Sequence, residues 1–317
     1  MKFPVFDLHC DTALALLKQD SDENFSLRTN SCHIDLERAA TLPGYCQCFA
    51  CFTTPDMQKW YHKAPEFIFE REMETIHWEL EKNADLIRQV YTPEEITQNL
   101  ENGYMSAILT IEGPAGFGYD PALLQDLRQA GFFITTLGWN ESNPLTGSHV
   151  TGEGLSEQGK EYVKEAQRQG MIVDVSHISD AGFWDIMEIT QAPVIASHSN
   201  SRTLCDLSRN LTDDMFLQIC RTGGVAGFNL YPDFIGEDGD LEQACRHFLH
   251  FMELDPSGKH IALGGDLDGV EKLPKGFGGV QDYPALAQVL SAHGLSDENL
   301  SDIFWNNAMG VIRKCCM

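Results

Sequence analysis

The sequence predicts a single α/β domain with the architecture of a (β/α)8 barrel, spanning residues 1–317. Short apolar runs alternate with longer polar segments of helical periodicity, and this alternation is typical of a parallel sheet with right-handed crossovers. About eight such units follow one another, which is the number that closes a barrel. An open doubly wound sheet is the alternative fold, but no G-x-G-x-x-G turn follows the first apolar run.

The predicted strands are rich in β-branched and aromatic residues and mostly lack polar alternation, as expected of strands buried on both faces. They cover residues 3–8, 45–52, 105–111, 132–137, 171–175, 194–197, 224–230 and 260–263. The predicted helices cover residues 65–90, 121–130, 156–169, 179–190, 212–221, 241–252, 283–292 and 296–313. Several of these helices begin with Ser or Thr followed by an acidic residue, which is a helix start signal.

The charge balance limits the partners that this chain can have. Asp and Glu number 47 against 22 Lys and Arg, which gives a formal net charge of −25. A field of this sign repels phosphate backbones and anionic membrane surfaces, so we expect neither nucleic acid nor a membrane as partner. No apolar run approaches the roughly 18–20 residues that a membrane-spanning helix needs. We expect a small-molecule substrate and leave a homodimer open as an assembly.

The ten cysteines are expected to be reduced. The first apolar run begins at residue 3 with no signal peptide before it, which favours a cytoplasmic location and a reducing compartment. Cys46, Cys48 and Cys51 share the predicted strand 45–52. Because no fourth ligand follows them at a usual spacing, we interpret them as buried thiols and not as a zinc knuckle.

Residues of metal-ligand or acid–base type follow five of the predicted strands directly. They are His9 and Asp11, Glu112, His177, His198, and Asp266. The carboxyl ends of barrel strands meet at one face, where the active sites of such enzymes lie. One buried His or one H-x-D pair is a weak signal. Together, however, three imidazoles, two carboxylates and a further aspartate suit two Zn²⁺ ions that share a bridging carboxylate.

The motifs around these residues resemble the renal (membrane) dipeptidase family of zinc peptidases, a branch of the amidohydrolase superfamily. The resemblance extends in order over nearly the whole chain. It is carried by DLHCD (7–11), IEG (111–113), DVSH (174–177), APVIASHS (192–199), SRN (208–210), NLYP (229–232) and GGDLDG (264–269).

The resemblance implies a ligand set for two zinc ions per chain. His9 and Asp11 would hold one ion, and His177 and His198 would hold the other. Glu112 would bridge the two ions together with a water or hydroxide, which makes it one of the catalytic residues.

The resemblance also implies roles in catalysis and substrate binding. Asp266 would take the proton of the water and pass it to the leaving amine. Arg209 is similar to the family residue that binds the substrate carboxylate, and its guanidinium fork suits two parallel hydrogen bonds. A structural ion pair is the alternative role for Arg209. Tyr231 lines the pocket or packs in the core, and both interpretations stay open.

The chain departs from the mammalian members of this family after the fourth predicted strand. Those members carry a His there, in a Thr-His-Ser block, that contacts the substrate carbonyl. Here Trp139 stands at that position and Asn140 follows it. The Asn140 amide or the nearby His149 would then stabilise the oxyanion, and Trp139 would contact substrate or simply pack.

The sequence therefore predicts a zinc-dependent dipeptidase that hydrolyses dipeptides, with L,D-dipeptides included, by a metal-bridged hydroxide. A binuclear amidohydrolase acting on another carboxylated amide, such as an N-acyl amino acid, is the alternative, and the Trp139 departure motivates it. A non-catalytic binding protein is disfavoured because none of the expected ligands is missing.

Overall fold

The fold is that of a computed structural model, which describes residues 1–18 and 25–316. Its strands form one parallel sheet. They are β1 (Val5–Cys10), β2 (Tyr45–Phe52), β3 (Ile87–Gln89), β4 (Met105–Glu112), β5 (Phe132–Thr136), β6 (Ile172–Asp174), β7 (Val194–Ile195), β8 (Ala226–Phe228) and β9 (Ile261–Leu263). All eight predicted strands are present, each within a few residues of its predicted bounds.

The sheet curls into a nearly closed barrel of eight strands in the order β7-β6-β5-β4-β2-β1-β9-β8. A parallel bridge between Ala196 and Ala226 joins its two ends. The prediction of a (β/α)8 barrel is confirmed. Because all barrel strands are parallel, their carboxyl ends open on one face of the molecule, and this face positions the site described below.

Helices follow most of the strands and cover the outside of the barrel. The α-helices are α1 (Thr12–Lys18), α2 (Leu36–Ala39), α3 (Met57–Tyr61), α4 (Pro65–Lys82), α5 (Pro93–Glu101), α6 (Leu124–Gln129), α7 (Glu157–Arg168), α8 (Asp180–Ile189), α9 (Asp213–Thr222), α10 (Pro232–Ile235), α11 (Leu241–Leu254), α12 (Tyr283–Ala292), α13 (Asp297–Ser301) and α14 (Asn307–Cys315). Short 3₁₀ segments cover Pro114–Phe117, Pro121–Leu123 and Val280–Asp282, and a π-helical turn covers Asp302–Asn306. Among the helices of the described ranges, none has both the length and the apolar character needed to cross a membrane.

The start signals read from the sequence operate as hydrogen-bonded caps. The Ser156 hydroxyl accepts from the Gly159 N–H at 3.0 Å, and Ser179 does the same for Gly182 at 2.9 Å. Thr212 caps α9 in the same way. Each cap satisfies a backbone donor that the first helical turn leaves without a partner, and such caps are worth about 1 kcal/mol.

One predicted helix is too long at its carboxyl end. The helix predicted over residues 65–90 ends at Lys82 in the structure, and residues 87–89 form β3 instead. Asn83 ends the helix, and its side-chain amide donates to the Glu79 carbonyl at 2.8 Å. Strand β3 then pairs with residues 105–107 of β4, ahead of the point where β5 joins. This pairing buries Ile87. The burial comes from tertiary contacts, which the helical periodicity of the sequence does not show.

Much of the barrel interior is apolar. One cluster of buried side chains draws on most of the barrel strands, including Phe6, Cys48, Ile108 and Ile195. Residues of the π-helical turn and of α14 belong to the same cluster, Trp305 among them, so the last helical segment covers one end of the barrel.

All ten cysteines are free thiols. Cys46, Cys48 and Cys51 are fully buried on β2. Burial raises the pKa of these three thiols well above its usual value, so they stay protonated at neutral pH. The interpretation of this group as buried thiols is confirmed.

Candidate metal centre

The five residues predicted as metal ligands, and Asp266, the predicted general base, all lie at the carboxyl ends of barrel strands. His9 is in β1 and Asp11 follows it, Glu112 is the last residue of β4, His177 and His198 follow β6 and β7, and Asp266 follows β9. All six side chains are buried or nearly so. Residues 9 and 266 are 257 positions apart, yet His9 Nε2 and Asp266 Oδ1 are 3.8 Å apart.

Glu112 lies at the centre of this group. Its Oε2 is 3.3 Å from His9 Nε2, and its Oε1 is 3.0 Å from His177 Nε2 and 3.9 Å from His198 Nε2. One carboxylate oxygen therefore faces the β1 ligand and the other faces the two histidines of β6 and β7. This is the disposition expected of a carboxylate that bridges two ions.

The β1 side of the centre has an unsatisfied donor atom. His9 Nε2 is buried and has no hydrogen-bond partner. It is 3.4 Å from Asp11 Oδ2, and ligand atoms of His9, Asp11 and Asp266 lie within 4.8 Å of one another. A buried imidazole nitrogen without a partner, surrounded by carboxylate oxygens, fits a divalent cation.

The other side of the centre is formed by two imidazoles whose outer nitrogens are held in place. His177 Nδ1 donates to Asn140 Oδ1 at 2.9 Å, and His198 Nδ1 is 2.6 Å from the Ser197 hydroxyl. Their Nε2 atoms are 3.0 Å apart. The lone pairs of two nitrogens at this distance repel each other unless a proton or a cation lies between them. The two imidazoles therefore also fit a bound metal ion.

Burial and mutual charge determine the protonation of the centre without metal. Burial raises the pKa of Glu112 to about 7 and that of Asp266 to about 6, although the charge of His9 opposes both shifts. Burial also lowers the pKa of His177 and His198 well below its usual value. These two rings are therefore neutral at neutral pH, which is the form that binds metal.

His9 behaves in the opposite way. Burial lowers its pKa, but the carboxylates of Glu112 and Asp11 outweigh burial and raise the pKa well above its usual value. In the absence of a metal ion, a protonated His9 partly offsets the carboxylates crowded around it. A divalent cation would take over this role when it binds.

The backbone around the centre adopts left-handed conformations at non-glycine residues. The φ angles are 68° at His177, 56° at Asp266 and 68° at Asp268. Such residues cost of order 1–3 kcal/mol each and are concentrated at functional sites. Gly269 has a different constraint, since a Cβ there would lie 2.2 Å from Asp11 Oδ2 and 2.4 Å from Asp266 Oδ1. Only glycine lets these two carboxylates approach the same point.

Asp266 is oriented by a residue to which the sequence reasoning assigned no role. Asn229 Nδ2 donates to Asp266 Oδ2 at 2.9 Å. The other side-chain atom, Asn229 Oδ1, accepts from the Tyr231 N–H. The NLYP motif indicated that Asn229 lies at this face, because the motif follows β8. The motif did not indicate the contact with Asp266.

A cavity of about 610 Å³ opens above the centre. Asp11, Glu112, His177 and Asp266 line it together with Tyr231, which fits a pocket role for the tyrosine. Its aromatic residues include Trp139, Phe52, Trp60, Tyr61 and Phe234. The Trp139 ring makes edge contacts with Phe52 and Trp60, with centroid distances of 5.4 and 5.5 Å. Trp139 thus packs against Phe52 and Trp60 and also lines the cavity. The sequence did not indicate a role for Trp60.

Asn140 joins two imidazoles. Its Oδ1 accepts from His177 Nδ1 and also lies 2.9 Å from His149 Nε2. His149 Nδ1 is 3.0 Å from the Ser208 hydroxyl. Burial and the charge of Arg209 lower the pKa of His149 to about 4, so the ring is neutral at neutral pH. His149 and Asn140 both line the cavity, and the oxygen of Asn140 also orients His177.

Arg209 is an almost fully buried cation, with 4% of its surface exposed. Its Nη1 donates to the Ser199 hydroxyl at 2.6 Å, whereas its Nε and Nη2 have no hydrogen-bond partner. Its guanidinium lies 5.7 Å from the centroid of the Phe234 ring, which lines the cavity. A structural ion pair would fill these two donors, so the described contacts favour binding of an anionic group over that alternative.

Glu72 of α4 is a further buried carboxyl group that the sequence reasoning missed. It is fully buried, and neither carboxylate oxygen has a hydrogen-bond partner. Burial, with the charges of Asp11 and Glu112, raises its pKa well above its usual value. The acidic pattern of α4 gives no sign of this burial.

Comparison with known proteins gives a family and solved relatives for this chain. The family model for membrane dipeptidases (peptidase family M19) matches residues 1–316. A metallo peptidase from Rhodobacter sphaeroides, solved with a phosphinate mimic of the dipeptide L-Ala-D-Ala, is 26% identical with a TM-score of 0.90, and the match covers 99% of this chain and 100% of that one. A second solved metallo peptidase of family M19, dipeptidase AC, is also 26% identical with a TM-score of 0.90, over 99% of both chains.

An uncharacterized dipeptidase of Schizosaccharomyces pombe is 34% identical over 215 residues, which are 66% of this chain and 53% of that protein. The matched part of this chain thus spans about half the length of the first curated relatives. The resemblance inferred from the motifs is confirmed: the chain belongs to the membrane dipeptidase family, peptidase family M19.

Proposed function

We propose that this protein is a dipeptidase that uses two Zn²⁺ ions. The observation that carries the proposal is the position of Glu112, whose two carboxylate oxygens face His9 on one side and His177 and His198 on the other. His9 and Asp11 would hold one ion and the two remaining histidines the other. When bound, the ions would polarise the scissile carbonyl and lower the pKa of a water molecule.

Asp266 is the proposed general base and acid. Its carboxylate lies beside the His9 side of the centre, and burial raises its pKa to about 6 in the metal-free protein. It would take a proton from the attacking water and deliver it to the leaving amine when the C–N bond breaks. The hydrogen bond from Asn229 fixes one of its oxygens and leaves the other free for this transfer.

Arg209 is the proposed anchor for the substrate carboxylate. Its two unpaired N–H groups can bind a carboxylate, and its burial strengthens such a charged contact. Binding of a free carboxylate at a fixed distance from the cleaved bond selects substrates in which a single residue follows that bond. The related Rhodobacter sphaeroides peptidase, solved with a mimic of L-Ala-D-Ala, supports dipeptides, with L,D-dipeptides among them.

Trp139 and Trp60 would form the wall against which a substrate side chain packs. Both line the cavity, and their edge contact makes a firm apolar surface. His149 lies on the same cavity and is neutral, so it can donate a hydrogen bond toward a developing oxyanion once it releases Asn140.

The free thiols support a reducing, cytoplasmic location, which cell fractionation would test.

A binuclear amidohydrolase acting on N-acyl amino acids is the second candidate. The aromatic wall favours it, because an acyl chain would pack there as well as an amino-acid side chain. The acidic residue Glu271, which also lines the cavity, favours instead a substrate with a free amino group.

The experiment that tests the proposed function is a substrate panel measured with and without chelator. It contains L,L-dipeptides, L,D-dipeptides and N-acetyl amino acids of matched side chains. We expect dipeptide hydrolysis that is lost with chelator and restored by Zn²⁺, and N-acetyl substrates at least about tenfold slower. Faster turnover of the N-acetyl substrates would favour the second candidate, and chelator-insensitive turnover would contradict both.

A further inference from the structure

A second group of metal-ligand residue types lies at the other end of the barrel. Cys220 is in the last turn of α9, Asp255 follows α11, and His260 directly precedes β9. Residues that precede barrel strands lie at the amino-terminal face, opposite the face that carries Glu112. This group is therefore separate from the centre described above and shares no residue with it.

The three side chains bring their donor atoms to one point. The Cys220 sulfur, an Asp255 carboxylate oxygen and a His260 ring nitrogen lie within 4.8 Å of one another. Ligands around one tetrahedral zinc ion are roughly 3.4–3.8 Å apart, given metal–ligand bonds of about 2.0–2.3 Å. Small side-chain rotations would close the difference. All three residues are half-buried, so an ion can reach them from solvent.

Asp255 has one carboxylate oxygen that makes no hydrogen bond. Its Oδ1 accepts from the backbone N–H and the hydroxyl of Ser257, at 3.2 and 2.7 Å. Its Oδ2 is buried and has no hydrogen-bond partner. A buried carboxylate oxygen without a partner is costly, and a bound cation would remove that cost.

His260 is oriented as metal-binding imidazoles usually are. Its Nδ1 donates to the Gly224 carbonyl at 2.7 Å, so Nε2 keeps its lone pair. A backbone carbonyl on the outer nitrogen is a common way to fix the ring and its tautomer at a metal site. The same carbonyl belongs to the turn between α9 and β8, so this contact also ties the ring to the segment that carries Cys220.

We propose that Cys220, Asp255 and His260 form a third metal site that binds Zn²⁺ or another thiophilic divalent ion, with water in the fourth position. Thiolate, imidazole and carboxylate together favour zinc over Mg²⁺ or Ca²⁺, which prefer oxygen ligands only. The ion would link the ends of two helices to the start of β9, and it would stabilise this end of the barrel by binding the folded state alone.

Binding at this site requires the loss of one proton from Cys220. Burial and the nearby charge of Asp255 raise the pKa of Cys220 to about 12, so the thiol is protonated when no ion is present. The incoming ion displaces that proton to solvent and forms the metal–sulfur bond in its place. Affinity is therefore expected to rise with pH.

A Co²⁺ titration of the metal-depleted full chain, followed by absorption, tests the proposal. The proposed ligands of the Glu112 centre include no thiolate, so a thiolate-to-cobalt charge-transfer band reports the third site alone. We expect this band in the wild-type protein and its loss in Cys220→Ser, with the remaining cobalt absorption unchanged. Cys205→Ser, at another half-buried cysteine outside the group, is the matched control and should keep the band.

A second measurement needs no variant. Zn²⁺ should slow the alkylation of Cys220 in the wild-type protein at least about tenfold, as identified by peptide mass spectrometry, while the alkylation rate of Cys205 stays the same. Absence of the thiolate band at saturating Co²⁺, persistence of the band in Cys220→Ser, or unchanged alkylation of Cys220 would each overturn the proposal. Neither readout depends on peptide hydrolysis, so failure of the dipeptidase proposal would be seen separately.

Discussion

The two ends of the barrel differ in how their buried polar groups are paired. At the amino-terminal end, Asn307 Nδ2 donates to the carbonyls of Gly258 and Ile261 at 2.7 and 2.8 Å, among apolar residues of the last helix. At the carboxyl end, His9 Nε2 and two nitrogens of Arg209 are buried without partners. The paired side chain of Asn307 serves stability, whereas the unpaired groups around the Glu112 centre indicate where a ligand binds.

Backbone strain follows the same division. Three of the five non-glycine residues with positive φ in the described ranges, His177, Asp266 and Asp268, lie around the Glu112 centre at the carboxyl end. Three strained residues, together with crowded carboxylates, cost stability that the apolar interior must offset. The unpaired oxygen of Asp255 is a departure at the opposite end, and it belongs to the proposed third metal site.

The largest expected effect is that of Glu112→Gln. Loss of the shared carboxylate should lower kcat/KM for dipeptides by at least about 10³-fold, because metal-ion catalysis supplies several kcal/mol. The same change removes a buried charge, so the metal-free protein should melt at the same temperature or higher. Steady-state kinetics and thermal melting in chelator check both effects. A variant that loses stability with its activity would contradict the division between the two ends.

Arg209→Met comes next. Removing one partner of a buried charge pair costs about 2–5 kcal/mol, which corresponds to a loss of roughly 30-fold to several thousand-fold in kcat/KM. Wild-type protein should strongly prefer a dipeptide to its C-terminal amide, because only the dipeptide has the carboxylate. The variant should lose this preference. Equal preference in both proteins would show that Arg209 does not bind the carboxylate.

Asn307→Ala tests the opposite end of the barrel. It leaves two buried carbonyls without their donor, so the free energy of unfolding should fall by about 1–3 kcal/mol. Because Asn307 lies at the face away from Glu112, kcat/KM should stay within about twofold of wild type below the melting temperature. Denaturant unfolding and kinetics on the same preparation distinguish the two effects. A large loss of activity would show that the ends are not independent.

The smallest expected effect is a change with pH in how much Zn²⁺ stabilises the folded protein. The pKa of Glu112 is raised to about 7 and that of Asp266 to about 6, above the values near 4 of unfolded carboxyls. In the folded metal-free protein these two carboxyls therefore hold protons that the unfolded chain releases, and their contribution to stability falls as pH rises through this window. Metal binding needs ionised carboxylates and strengthens over the same window.

The difference in melting temperature between Zn²⁺-loaded and metal-free protein should thus be several degrees larger at about pH 8 than at about pH 5.5. Asn307→Ala should show the same change as wild type, since it touches neither carboxyl. A difference that stays constant or shrinks with rising pH would contradict the raised pKa values.

Much of the fold could be predicted because each barrel strand is an apolar run that ends at a turn. The helix predicted over residues 65–90 failed at its end, since a three-residue strand such as β3 has no period of its own and forms through pairing with β4. The predicted ligands were found for a related reason: His9, Glu112 and His198 each follow or end an apolar run, where a polar residue stands out.

Other parts of the site depend on packing between distant segments. Trp60 lies on the short helix α3 and meets Trp139 only in the folded chain. Glu72 lies among acidic residues that are typical of an exposed helix face, yet it is fully buried. Asn229 could be assigned to a motif, but its contact with Asp266 depends on how β8 and β9 align.

We expect the unpaired polar groups at the carboxyl end to form a binuclear metal centre around Glu112. A crystal structure of Zn²⁺-loaded, active protein, with anomalous data collected at the zinc edge, tests it most directly. We expect two anomalous peaks, one beside each Glu112 carboxylate oxygen, with His9 and Asp11 on the first ion and His177 and His198 on the second. A single peak, or peaks that do not contact Glu112, would contradict it.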